Sequence, residues 1–591
     1  MERVDLICSL HVKIHSFRNC RKNWETLSYT HMHVHFLLVL YANASAKGKK
    51  NAGNEAKRRK GTGMGQYLNV GNDGFQAVRK ELYVDKTGLI SFINGTLGTM
   101  RKLTCVSRPR RFGKSYAAKM LCAYYDKSCD SGKLFEGLKI TKDSSYEKYL
   151  NRYDVIYLDI TRFIFELHSD MKNMVPYIQK QVIQELVREY PLIERQDEDS
   201  LVTILFKVRE ATGNKFIFII DEWDALFREA ERDEAVQKEY IQLLRGLFKS
   251  PVTDKIIEAV YMTGILPIKK YGTHSAMTDF VEYSMLDQGE LEEYVGFTEQ
   301  EVRGLCRKCD MDYMEMKRWY DGYSFSGIKS VYNPNSVVNA IRKRKIGSYW
   351  TKTETYESLR IYIDMDMDGL KESVAQLTGG VHCSIDTAAF QNDMTSIQSR
   401  DDVLTLLVHL GYLAYDEEAE TVSIPNEEIR LEFIRAIKNS KRNELVSLIR
   451  ESDLLLKHTL NMDGEKVAAA IEEIHSAQTA PLFYNNEQAL RSVIRFAYIS
   501  CIGEYKEIQE LPSGTGYADV VYLPKKHSPM PILLIELKWN KTADGAISQI
   551  KEKKYPQVFE GYGSDILLVG INYDAESKKH ECMIERYDMQ K

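Results

Sequence analysis

The sequence predicts an α/β chain of several domains: a doubly wound parallel sheet in its first half, a mainly helical connector, and a second α/β unit at the C-terminus. Three observations predict it. Between residues 103 and 268, strand-like apolar runs alternate with helical stretches, the pattern of a parallel sheet covered on both faces. One run, Phe216-Ile217-Phe218-Ile219-Ile220, is apolar throughout and ends in Asp221-Glu222, as a central parallel strand does. Near the C-terminus, residues 516–522 and 531–539 carry β-branched and aromatic residues between turn formers, and a helical stretch follows.

At 591 residues the chain has length for three or four domains. With 80 Lys+Arg against 84 Asp+Glu, its formal charge of −4 excludes a globally basic nucleic-acid binder but leaves room for local basic grooves. Two basic clusters stand out, Arg108-Pro109-Arg110-Arg111 and the helix with Lys551, Lys553 and Lys554. Taken alone, the second reads as a solvated face. Ten cysteines without a regular framework suit a reducing cytoplasm. Cys306-Arg307-Lys308-Cys309 lacks a partner pair, so two incidental thiols outweigh a zinc site there.

Residues 1–63 look foreign to the rest. A basic start, the apolar run 36–42 and small residues near Ala44 and Ala46 imitate a signal peptide, but the run is too short to span a bilayer. A Gly/Lys/Arg-rich link follows, and the segment is expected to be a disordered or spurious extension with Met64 as the natural start.

From Met64 the sequence becomes orderly. A strand-like run at 103–106 leads into Ser107-Arg108-Pro109-Arg110-Arg111-Phe112-Gly113-Lys114-Ser115, then a helical stretch. Strand, tight loop and a helix opening with Gly-Lys-Ser are what a P-loop needs. Backbone N–H groups and the helix N-terminus hold phosphates, Lys114 reaches the β/γ oxygens of ATP, and Ser115 ligates Mg²⁺. Arg110, Arg111 and Gly113 join them as nucleotide-binding candidates, while Arg108 stands where the general motif has its first glycine. Asp221 would hold Mg²⁺ through water and Glu222 would polarise the attacking water. An apolar strand ending in two acids is by itself ordinary; its pairing with the Gly-Lys-Ser loop turns the reading toward a nucleotide site. Thr263 ends another strand-like run, placed where a side chain could read the γ-phosphate.

Beyond residue 298 the pattern turns mainly helical. Its aromatic cluster Trp319-Tyr320-Asp321-Gly322-Tyr323-Ser324-Phe325 could stack bases, though packing around a turn is the commoner use. At 531–539, Leu533, Ile535, Leu537 and Trp539 share one strand face, and Leu534, Glu536 and Lys538 the other. A carboxylate and an ammonium on a buried strand are costly unless they bind each other or a metal. An antiparallel hairpin would bring Asp519 beside Glu536, giving a pair of carboxylates and a lysine suited to Mg²⁺, at the open edge of a small sheet. The bland alternative is a structural Glu–Lys pair.

Taken together, Glu487, Gly516-Tyr517-Ala518-Asp519, Glu536-Leu537-Lys538, Gln549 and Tyr555 resemble the PD-(D/E)XK nuclease superfamily. From about Met64 onward the chain resembles more closely the bacterial proteins that fuse an AAA-ATPase-like domain to such a nuclease domain, whose loop takes the same Ser-Arg-Pro-Arg-Arg-Phe-Gly-Lys-Ser form. The resemblance implies a restriction-endonuclease-like αβββαβ core with Asp519 and Glu536 as metal ligands and Lys538 as the catalytic lysine. It makes Glu487 an auxiliary acid, sets Gln549 and Tyr555 beside the site, and makes the helical middle a lid and connector. The domains are then expected at 64–297, 298–445 and 446–591. The leading expectation is a cytoplasmic ATPase coupled to a Mg²⁺-dependent nuclease acting on nucleic acid, DNA first, with no membrane partner and with a homo-oligomer left open. Two alternatives stay beside it: a nucleotide-driven switch whose nuclease-like domain only binds nucleic acid or a protein partner, and a nuclease whose ATP is structural.

Overall fold

The computed structural model describes residues 65–587 apart from short internal stretches, the longest being 269–276 and 479–486. The chain divides into Met1–Gly63 and Met64–Lys591; the N-terminal extension considered above lies outside the described residues. Among the described residues, no helix is long and apolar enough to cross a membrane.

Five parallel strands build the first sheet: β1 (Leu103–Ser107), β2 (Asp154–Asp159), β3 (Phe216–Asp221), β4 (Ile257–Gly264) and β5 (Val281–Tyr283), in the order β2-β3-β4-β1-β5. Every side chain of β3 is buried, which explains its uninterrupted apolar run. Its residues alternate between two cores. Phe216, Phe218 and Ile220 pack with α2 (Met174–Glu189), α3 (Leu201–Thr212) and α4 (Glu234–Phe248). Ile217 and Ile219 pack with α1 (Lys114–Tyr125). Helices on both faces make the sheet doubly wound, as the alternation predicts. Because all strands run one way, the residues after β1, β3 and β4 gather at one edge, where α/β sheets bind ligands.

The middle of the chain is helical with two small sheets among the described residues: β6 (Phe297–Thr298) pairs with β7 (Val331–Tyr332), and β8 (Cys383–Ser384) pairs with β10 (Thr421–Ser423), which also pairs with β9 (Ala414–Asp416). Its helices begin where the sequence offers caps. Thr298 and Glu301 form a capping box on α5 (Glu299–Cys309), and Asp312 caps α6 (Tyr313–Tyr320). Asn333 caps α7 (Pro334–Lys343), with Pro334 in its first turn. A second capping box, Ser399 with Asp402, starts α8 (Arg400–Leu410), and Asn426 caps α9 (Glu427–Lys438). The aromatic cluster packs: Tyr320, Tyr323 and Phe325 are buried, and the Tyr323 hydroxyl donates to the Gly411 carbonyl at 2.6 Å.

Helices α10 (Asn443–Leu460), α11 (Gly464–Gln478) and α12 (Glu487–Ala497) lead into the second sheet. It contains β11 (Tyr505–Ser513), β12 (Gly516–Pro524), β13 (Ile532–Trp539), β14 (Ile566–Asp574) and β15 (Lys579–Tyr587), in that spatial order. Only β13 and β14 pair in parallel, joined through α13 (Ala543–Glu552). From α12 to β14 the order is αβββαβ, as the resemblance implies, and β15 adds an antiparallel edge strand. Leu533, Ile535 and Leu537 share a core with α10, α11 and α12, whereas Ile532 and Leu534 pack against Ile547 and Ile550 of α13. The two strand faces are those read from the sequence.

Candidate functional sites

The first site lies at the carboxyl edge of the parallel sheet. The turn from β1 into α1 needs left-handed backbone twice, at Arg111 (φ 69°) and Gly113 (φ 98°), and glycine supplies the second at no steric cost. The Lys114 ammonium donates to the Arg108 and Pro109 carbonyls at 2.9 and 3.0 Å and lies 3.7 Å from Glu222. Arg108, at the position of the motif's missing glycine, turns away from the loop and into the protein. Fully buried, it donates through Nη1 to the Ser107, Tyr283 and Ser284 carbonyls and stacks over Phe325. It tethers the loop to β5 and the residue after it.

Behind the loop, Thr263 Oγ1 donates to Asp221 at 2.6 Å, and the Ser115 hydroxyl lies near this carboxylate. Burial pushes the Asp221 carboxyl up, and the hydroxyls of Thr263 and Ser115 oppose the shift. Burial acts the same way on Glu222, but the charges of Lys114, Arg228 and Arg110 outweigh it and hold that carboxyl below its usual range. Arg228, which the sequence reading passed over, reaches Glu222 at 2.5 Å and Asp224 at 3.1 Å. Glu222 itself is left-handed, at φ 55°. A cavity of about 430 Å³ opens over Arg110, Arg111, Gly113, Lys114, Ser115 and Glu222; Asp221 and Thr263 are not among its lining residues. Its other wall carries Leu82, Tyr83, Val84, Phe297 and Val338, with Glu81, Lys86 and Arg342 among them and Asn335 and Asn339 of α7 at its end. That wall comes from segments more than two hundred residues apart, so no local motif could announce it.

The second site lies where β12 and β13 part. Their ladder pairs Tyr522 with Leu533, Val521 with Leu534 and Val520 with Ile535, then stops. One residue further along, Asp519 Oδ2 accepts the Leu537 backbone N–H at 2.9 Å, doing in place of a ladder carbonyl. Lys538 donates to Glu536 Oε1 at 3.0 Å; Gln549 donates to the same oxygen and to the Tyr555 hydroxyl at 3.3 Å. The structure thus brings Asp519, Glu536, Lys538, Gln549 and Tyr555 together, with Asp519, Glu536 and Lys538 all buried. It differs from the expected open edge: β12 and β13 are the second and third of five strands, and the split between them makes the opening. Glu487 is the first residue of α12; its side chain lies outside the described residues. One turn later Arg491 donates to Asp519 Oδ1 at 2.6 Å. The sequence reading missed it, although its spacing of four from Glu487 puts both on one helix face.

Among the described residues there is no group of three or more His, Cys, Asp and Glu able to hold a metal ion. The pair Asp519 and Glu536 still suits Mg²⁺, which keeps several waters and is bound by one or two protein carboxylates. At the first site the donor set that suits Mg²⁺ is the Ser115 hydroxyl with Asp221.

Charged contacts tie the two sites. Ser336, in the first turn of α7, donates to Glu428 of α9 at 2.7 Å. Arg430 of α9 reaches Glu507 of β11 at 2.8 Å, and Arg495 of α12 reaches the other oxygen of Glu507 at 2.5 Å. Burial raises the Glu507 carboxyl, but Arg430 and Arg495 outweigh it and bring it down to about 2. Arg495 lies one turn from Arg491, so α12 touches both Glu507 and Asp519.

Residues 69–273 match the family described as "Predicted AAA-ATPase", and residues 485–582 match the PD-(D/E)XK nuclease superfamily. An "Uncharacterized protein in vnfD 5'region" of Azotobacter chroococcum mcd 1 is 22% identical over 533 residues, covering 86% of this chain and 97% of its own. The structure of the Aeropyrum pernix ORC2 protein (ADPNP-ADP complexes) covers 62% of this chain and 96% of its own at 11% identity; its TM-score of 0.23 is too low to bear on the fold.

Proposed function

The chain joins an AAA-ATPase-like domain to a PD-(D/E)XK nuclease superfamily domain, and from that premise we propose that it is an ATPase coupled to a Mg²⁺-dependent nuclease acting on DNA. The observation that carries the reading is the gathering of Asp519, Glu536 and Lys538 at the split between β12 and β13, on side chains that have no packing reason to be charged. Mg²⁺ when bound supplies charge for a phosphodiester and a water of lowered pKa. The chain's own part is to fix Asp519 against the Leu537 N–H and to aim Lys538 at the reacting phosphate or water, where an ammonium offsets developing charge. At the other site, Lys114 and the α1 N-terminus take the phosphates of ATP, and Glu222 orients the attacking water. Asp221, bonded by Thr263 of β4, would hold Mg²⁺ together with Ser115 behind the loop.

The chain of contacts from Ser336 to Glu507 supports coupling of the two domains and also favours a second reading, a nucleotide-driven switch whose nuclease-like domain only binds. One assay separates them: circular and linear DNA and RNA, each with and without ATP and Mg²⁺. Mg²⁺-dependent cleavage of DNA that Asp519→Ala abolishes is expected. Retained binding with no cleavage under any condition would leave the switch, and cleavage that persists in Asp519→Ala would put the nuclease site elsewhere.

A further inference from the structure

Asp519 has two oxygens and both are engaged. Oδ2 accepts the Leu537 backbone N–H at 2.9 Å, a bond that replaces a ladder contact and fixes the carboxylate plane. Oδ1 accepts from Arg491 Nη2 at 2.6 Å, a charge-assisted hydrogen bond. Among the described residues, the carboxylates of Asp519 and Glu536 face the cations of Arg491 and Lys538. A divalent cation that takes Asp519 Oδ1 meets a guanidinium on the same atom, and the two cations repel each other there. The side chain of Arg491 is 21% exposed against 10% for Asp519, so the guanidinium can swing toward water without being left buried and unpaired. Its helix need not follow, because Arg495 one turn along holds Glu507 at 2.5 Å.

We infer that Arg491 is a positioning residue that competes with the divalent cation for Asp519 Oδ1 and so sets the metal concentration at which this site fills. The inference rests on the nuclease-site reading above and adds a residue that the motif lacks. An arginine that merely held α12 against β12 would, on removal, loosen metal binding or leave it unchanged. A competitor on the ligand atom must tighten it.

The test is calorimetric titration of Mn²⁺ into the full chain and into Arg491→Gln, Arg491→Lys, Arg495→Gln and Asp519→Asn. Arg491→Gln is expected to bind Mn²⁺ about tenfold more tightly than the unsubstituted chain, the fold-change of one lost charge-assisted bond. Arg491→Lys keeps the charge but loses the planar fork, and should also bind more tightly, by less. Asp519→Asn should lose the site. Should Arg491→Gln fail to fold, Arg491→Lys carries the test, and the Mn²⁺-induced rise in Tm repeats it without calorimetry. Equal or weaker Mn²⁺ binding in both Arg491 variants, with an Asp519-dependent site still present, overturns the inference and spares the nuclease reading. Equal tightening in Arg495→Gln also overturns it, because the effect would then be a general field and not a contact at Oδ1. Absence of any Asp519-dependent Mn²⁺ site in every chain overturns the nuclease-site reading itself, and this inference with it.

Discussion

Each half of the molecule sets a buried lysine near a carboxylate, and the two do it by opposite means. In the first, Lys114 and Glu222 stand 3.7 Å apart on a frame of unusual backbone, with left-handed residues at Arg111, Gly113 and Glu222. In the second, Lys538 and Glu536 stand 3.0 Å apart, two residues along β13, and no residue of 516–524 or 532–539 has a positive φ. Under the proposed function, the difference follows from what each site would hold. Phosphates are gripped by backbone N–H groups, so the chain must bend around them. Carboxylates and a lysine act through side chains, which a regular strand presents at period two. The first site should therefore suffer from backbone changes as well as side-chain ones, and the second chiefly from loss of its charged atoms.

The comparison breaks most sharply at the carboxylates. Asp519→Ala or Glu536→Ala is expected to reduce DNA cleavage by about 10³-fold, the scale of losing a main source of transition-state stabilisation. ATP hydrolysis should stay near the wild-type rate, because the two sites use separate sheets; phosphate release measured beside cleavage checks both. Lys538→Ala should cut cleavage by about 10²-fold yet still bind Mn²⁺, and loss of Mn²⁺ binding would mean that the lysine builds the site.

At the nucleotide site the same logic separates charge from orientation. Lys114→Ala is expected to abolish ATP binding, while Glu222→Gln binds ATP and hydrolyses it about 10²-fold more slowly. Equal hydrolysis by Glu222→Gln and wild type would assign the pairing with Lys114 and Arg228 a structural role only. Arg430→Met probes the tie. Removing one partner of a buried ion pair costs about 3 kcal/mol, readable in denaturant unfolding, and any effect of ATP on cleavage should disappear with it.

The smallest effects are pH dependences, and they have opposite signs at the two carboxylates of the tie. Glu507 sits at about 2 against an ordinary 4.5, because Arg430 and Arg495 outweigh its burial. Its contribution is therefore complete above pH 4.5 and is lost as the pH falls toward 2. Glu428 goes the other way, pushed up to about 7 by burial against the hydrogen bonds from Ser336, Tyr349 and Trp350. The folded chain keeps that proton after the unfolded one releases it, so stability falls as the pH rises from 4.5 to 7. Unfolding free energies measured across that span should flatten below pH 4.5 in Glu507→Gln and above it in Glu428→Gln.

The sequence by itself determined the elements whose signals are local. The apolar run of β3 ending in Asp221-Glu222, the Gly113-Lys114-Ser115 turn into α1, and the alternation that puts Glu536 and Lys538 on one face of β13 all follow from neighbours within a few residues. What only the tertiary structure decided depends on residues far apart in the chain. Arg108 turns from the loop into the protein, where its Nη1 donates to carbonyls of Tyr283 and Ser284, on and just after β5. The far wall of the cavity over the Gly113-Lys114-Ser115 turn joins residues 82–84 to Phe297 and Val338. Arg491 finds Asp519 only because α12 packs where β12 and β13 separate, and a buried carboxylate there needs a cation. Spacing can say which residues share a face; only the packed chain says which face meets which.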